Sequence, residues 1–89
     1  METAKQTILV VDDESGMRNV IREVLESAGY AALLAKDGNE GLALARQHLP
    51  DLILCDIQMP GMNGYELLNA VGARTELRKV PFVFMTGVN

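Results

Sequence analysis

Short unbroken apolar runs constrain this chain most. Residues 8–11 read Ile-Leu-Val-Val and residues 52–55 read Leu-Ile-Leu-Cys. A half-buried strand alternates apolar with polar residues. A continuous run of this length reads instead as a strand buried on both faces, the habit of a parallel sheet. Both runs end in acid, Asp12-Asp13 after the first and Asp56 after the second. In open α/β sheets, ligands bind beyond the carboxyl ends of the strands. If these two strands are neighbours, three carboxylates share one small volume. Two unit charges about 4 Å apart repel by roughly 4 kcal/mol at an effective dielectric near 20. Such a cluster needs a proton or a cation, and the pattern reads as a divalent-metal site.

Helical periodicity fills the gaps between the runs. After strand one, Ser15 is a candidate N-cap. Met17, Val20, Ile21, Val24, Leu25 and Ala28 then recur with the spacing of an amphipathic helix, and Gly29 follows as a C′ glycine. Residues 31–35 form a second short strand. Asp37-Gly38-Asn39 then turns into a helix with Leu42, Ala45 and Leu49 on one stripe, stopped by Pro50. Strand three covers residues 52–55, and a loop spans residues 56–63. A third helix carries Leu67, Leu68 and Val71 on one face. Residues 74–79 read as a solvated connector, and residues 82–86 as strand four. The order βαβαβαβ calls for parallel strands joined by right-handed crossovers, with helices on both faces.

Composition excludes several classes. With 89 residues the chain is one small domain, and its 48% hydrophobic but 4% aromatic content predicts an aliphatic core. A net charge of −4 has the wrong sign for direct nucleic-acid binding. No apolar run nears the ~18 residues of a membrane span, so no membrane role is expected. A single cysteine forms no internal disulfide and fits a cytoplasmic setting. Neither G-x-G-x-x-G nor G-x-x-x-x-G-K-[ST] occurs, which argues against a nucleotide binder.

The segment Asp56-Ile57-Gln58-Met59-Pro60-Gly61-Met62-Asn63-Gly64, taken with Val10-Val11-Asp12-Asp13 and Thr86-Gly87, resembles the receiver domain of two-component response regulators. The resemblance implies a flavodoxin-like doubly wound parallel sheet with strand order 2-1-3-4. It implies that Asp56 is the phosphoacceptor, taking a phosphoryl group from a phosphohistidine on a sensor histidine kinase or histidine phosphotransfer protein. By the same resemblance Mg²⁺ is the cofactor, held by Asp12, Asp13, Asp56 and the backbone carbonyl of Gln58. Thr86 matches the hydroxyl that bonds a phosphoryl oxygen, and Met59 and Gly87 fall at phosphate-binding positions. Pro60 and Gly64 match residues that shape the loop after the nucleophile. A receiver modifies itself and turns over no separate substrate, so no enzyme activity beyond that is expected.

Each residue also has a plainer reading. A strand-end aspartate such as Asp56 can be a turn or cap residue, and Thr86 can be strand filler. Cys55 alternates away from Asp56 and reads as an inert buried thiol. His48 suits a helix C-terminus. An aspartyl-nucleophile phosphohydrolase fits poorly, because Ile57-Gln58 follows Asp56 where those enzymes place a second aspartate one residue on.

One departure stands out. The sequence stops at Asn89, whereas a receiver continues through a helix, a fifth strand ending in a phosphate-contacting lysine, and a last helix that packs beside the first. Neither Lys36 nor Lys79 takes that lysine's place. At ~1.5–3 kcal/mol per buried aliphatic side chain, a missing helix removes on the order of 10 kcal/mol. Residues 1–89 are therefore expected to be a truncated receiver domain that self-associates, through the strand-four edge or the uncovered face. The alternative is a receiver-like interaction or dimerisation module with impaired phosphorylation.

Overall fold

The computed structural model describes residues 5–85. Four strands, β1 (Thr7–Val11), β2 (Ala31–Ala35), β3 (Leu52–Asp56) and β4 (Phe82–Met85), alternate with three helices, α1 (Ser15–Ser27), α2 (Gly38–His48) and α3 (Gly64–Gly72). All strands pair in parallel, in the order β2-β1-β3-β4. This is the doubly wound order expected from the sequence. Thr86 and Gly87 lie outside the described residues. No helix among them is long and apolar enough to cross a membrane.

Strand alternation divides the apolar runs between two faces. Leu9, Val11, Ile53 and Cys55 join Ala45 of α2, Leu67 and Val71 of α3, and Met59 in one buried cluster. Ile8 and Val10, also buried, point to the opposite face. There α1 packs on β1 and β2.

Helix termini follow local chemistry, with two corrections to the sequence reading. Ser15 is the first helical residue of α1, and the cap is Glu14, whose side chain makes no capping hydrogen bond. Leu49 is not on the α2 stripe: it is the C-cap, in the left-handed region at φ 49°, and 55% exposed. Gly29 does adopt the positive φ (96°) expected of a C′ residue. Asp37 caps α2 by accepting from the Glu40 N–H, and Asn63 forms a reciprocal capping box with Glu66.

The connector and two stripes need revision as well. Residues 74–79 are not merely solvated, because a 3₁₀ turn at Thr75–Leu77 drives Leu77 to 0% exposure in the main core. On α3, Leu67 and Val71 are buried but Leu68 is exposed. On α1 no residue is fully buried. Its half-buried stripe is Arg18, Ile21, Arg22 and Leu25, while Met17, Val20 and Val24 are exposed. The helix sits over β1 and β2, and its apolar flank is left largely open to solvent.

Candidate functional site

Parallel register brings the acids together. Val11 of β1 lies opposite Cys55 of β3, so the residues that follow, Asp12 and Asp56, leave adjacent strands side by side. One carboxylate oxygen each from Asp12, Asp13 and Asp56 lies within 4.8 Å of the others. The condition set by the sequence, that the two strands be neighbours, is met.

The three acids sit in different surroundings. Asp12 is buried, Asp56 half-buried and Asp13 exposed. Asp12 is also firmly held. Its N–H donates to the Ala35 carbonyl at 3.1 Å, its carbonyl accepts from Arg18 Nη1 at 2.6 Å, and its Oδ1 accepts from the Glu14 N–H at 2.9 Å. Burial raises the Asp12 pKa above its ordinary 3.8; the Glu14 N–H opposes this, and the charges of Asp56, Asp13 and Glu14 add to it. An acid pushed toward protonation by burial, and further by neighbouring carboxylates, is what a bound cation would relieve. The donors are all hard oxygens, which suit Mg²⁺ over Zn²⁺. Oxygens around Mg²⁺ at ~2.1 Å stand up to about 4 Å apart, so a spread of 4.8 Å is within reach of one hydrated ion.

The loop after Asp56 is closed tightly onto the strand end. The Gly64 N–H donates to the Ile57 carbonyl at 2.9 Å. A Cβ on Gly64 would stand 2.6 Å from the Asp56 carbonyl oxygen and 3.0 Å from Ile57 Cα, both backbone atoms that cannot swing away. A side chain here would force the backbone at the end of β3 to shift. Gly61 turns the loop at φ 75°. Gln58 is exposed beside an open cleft of about 540 Å³ that Ile57, Met59, Pro60, Asn63 and Tyr65 also line. The Met59 side chain is buried in the core cluster, so a phosphate could meet only its backbone.

Cys55 is a buried thiol pushed up to about 12, first by burial and then by the charges of Asp56 and Asp12. It donates to the Asp56 carbonyl at 3.1 Å, and its burial is what its strand position implied. His48 is exposed in the last turn of α2. Sequence reasoning missed Arg18. It lies five residues past Asp13 inside an apolar periodicity, and nothing in the sequence marks it as reaching backward.

Residues 8–89 match the response regulator receiver domain family. The chain belongs to that family. The polar-differentiation response regulator DivK of Brucella anthropi is 39% identical over 82 residues, which cover 92% of this chain. The receiver spans 66% of the length of that curated relative. The chemotaxis protein CheY4 of Vibrio cholerae superposes with a TM-score of 0.91 at 34% identity, covering 97% of this chain and 72% of that one. The receiver domain of sensor histidine kinase PA1611 from Pseudomonas aeruginosa, described with a magnesium ion coordinated in its active-site cleft, gives 0.86 at 33% identity. That match covers 91% of this receiver and 66% of the other chain.

Proposed function

We propose that this receiver is a phosphoacceptor module of a two-component phosphorelay, with Asp56 as the acceptor and Mg²⁺ as its cofactor. The observation that carries the reading is the meeting of three carboxylate oxygens within 4.8 Å at the ends of β1 and β3. The magnesium coordinated in the cleft of the related PA1611 receiver supports the choice of ion.

A carboxylate oxygen of residue 56 would attack phosphorus directly, as aspartyl nucleophiles do. An Asp56 oxygen forms the new P–O bond while the P–N bond to the donor's imidazole breaks, and the ring, protonated on its far nitrogen, leaves neutral. Asp12, Asp13, Asp56 and the Gln58 carbonyl would hold Mg²⁺, which offsets repulsion between the carboxylate and the phosphoryl oxygens. Thr86 would bond a phosphoryl oxygen, and Gly87 and the Met59 backbone would border the phosphate. The donor is a histidine kinase or phosphotransfer protein, the setting cytoplasmic, and no separate substrate is turned over.

Incubation with Mg²⁺ and a small acyl phosphate tests the reading by intact mass. A phosphate increment that Asp56→Asn abolishes is the expected result; no increment in the folded chain sinks the proposal. That second outcome would favour an interaction module, for which the exposed Met17, Val20, Val24 and Val83 speak. Those residues also motivate self-association, which a compact monomer in micromolar sedimentation would refute.

A further inference from the structure

The turn between β1 and α1 is anchored by a side chain outside the acidic cluster. Arg18 reaches back across six residues, and its Nη1 donates to the Asp12 carbonyl at 2.6 Å. That carbonyl belongs to the peptide joining Asp12 to Asp13. A peptide unit is a rigid plane, so holding its oxygen also fixes the Asp13 amide and Cα. Asp12 has two further anchors, its N–H on the Ala35 carbonyl and its Oδ1 on the Glu14 N–H. Asp13 is exposed, and no hydrogen bond among the described residues holds its side chain. Rotation of the shared peptide would therefore displace the Asp13 carboxylate more than that of Asp12.

Other features make the anchor specific. Glu14 supplies no side-chain cap to α1, so the start of this helix depends on what else ties it to the strand end. Arg18 is half-buried, on the stripe it shares with Ile21, Arg22 and Leu25. The charges acting on the Asp12 carboxylate are those of Asp56, Asp13 and Glu14. Arg18 grips the backbone at this residue.

We infer that Arg18 is a positioning residue for the metal site, setting the direction of Asp13 by pinning the Asp12–Asp13 peptide. The inference rests on the Mg²⁺ reading above. It also has a distinctive sign. A cation near a cation site weakens binding by charge alone, so removing Arg18 would tighten Mg²⁺ if charge were its only influence. If its hydrogen bond positions Asp13, removal weakens binding.

Calorimetric titration of Mg²⁺ into the 89-residue chain separates the two. Arg18→Met is expected to lower affinity about 10–100-fold, the range for outer partners of metal ligands. It should also shift the Asp13 amide resonance before any metal is added. Arg18→Lys keeps the charge but lacks the reach and planar fork, so its affinity should fall between parent and Arg18→Met. Affinity in Arg18→Met equal to or tighter than the parent's overturns the inference. Should Arg18→Met not fold, Arg18→Lys decides, and unchanged affinity with an unmoved Asp13 amide overturns the inference. A folded parent that binds no Mg²⁺ overturns the metal reading itself, before any variant is compared.

Discussion

The two faces of this sheet are built from the same four strands but finished differently. On one, α2, α3 and the 3₁₀ turn bring Ala45, Leu67, Val71 and Leu77 down onto Leu9, Val11, Ile53 and Cys55, and that cluster is buried. On the other, α1 is the helix among the described residues that packs on β1 and β2, and Met17, Val20, Val24 and Val83 remain exposed. The apolar content of a helix therefore says which side wants cover, and the partners present decide whether it is covered. The acidic site lies at the strand ends between these faces, and its parts divide likewise. The Gly64 closure behind Asp56 belongs to the packed side, and the Arg18 anchor behind Asp13 to the open side.

The largest contrast should appear in core truncations. Leu67→Ala, at a site 0% exposed, should cost about 2–5 kcal/mol in urea unfolding. Val24→Ala, at a site 62% exposed, should stay within about 0.5 kcal/mol. Equal losses would break the comparison, showing that the α1 flank is covered in solution. Next in size is Gly64→Ala, where the added methyl meets backbone and should cost about 1–3 kcal/mol. It should also weaken Mg²⁺ binding by displacing the end of β3. Full stability with parent-like affinity would show that the loop can relax without moving Asp56.

Legibility in the sequence followed the same division. Continuous apolar runs and their terminal acids disclosed β1, β3 and the cluster, because burial on both faces and charge crowding are local facts of composition and spacing. Leu77 was hidden in a polar connector, since a single apolar residue shows no period. Leu49 looked like part of a helix stripe because spacing carries no information about a left-handed C-cap. Met59 sits in a loop motif yet turns its side chain into the core, which only the loop's closure decides. Arg18 was invisible for a related reason: a side chain that reaches backward to a carbonyl leaves no pattern.

The smallest predicted effect concerns pH. Folding raises the Asp12 pKa above its ordinary 3.8, so in that window the folded chain holds more protons than the unfolded one. This residue's contribution is fully present below 3.8 and is lost as pH rises through the raised folded value. Asp12→Asn can keep the Glu14 hydrogen bond while removing a buried charge. At neutral pH without metal it should raise the urea midpoint slightly, and it should no longer gain stability from Mg²⁺. A lowered midpoint would mean that the Asp12 charge stabilises the fold even without a cation.

The central claim, that the cluster exists to serve a nucleophile at residue 56, has a direct chemical readout. After treatment with Mg²⁺ and an acyl phosphate, borohydride reduces an aspartyl phosphate to homoserine, and peptide mass mapping locates it. The account predicts homoserine at residue 56 and nowhere else. Homoserine at residue 12 or 13, or none in a folded, Mg²⁺-loaded chain, would contradict it.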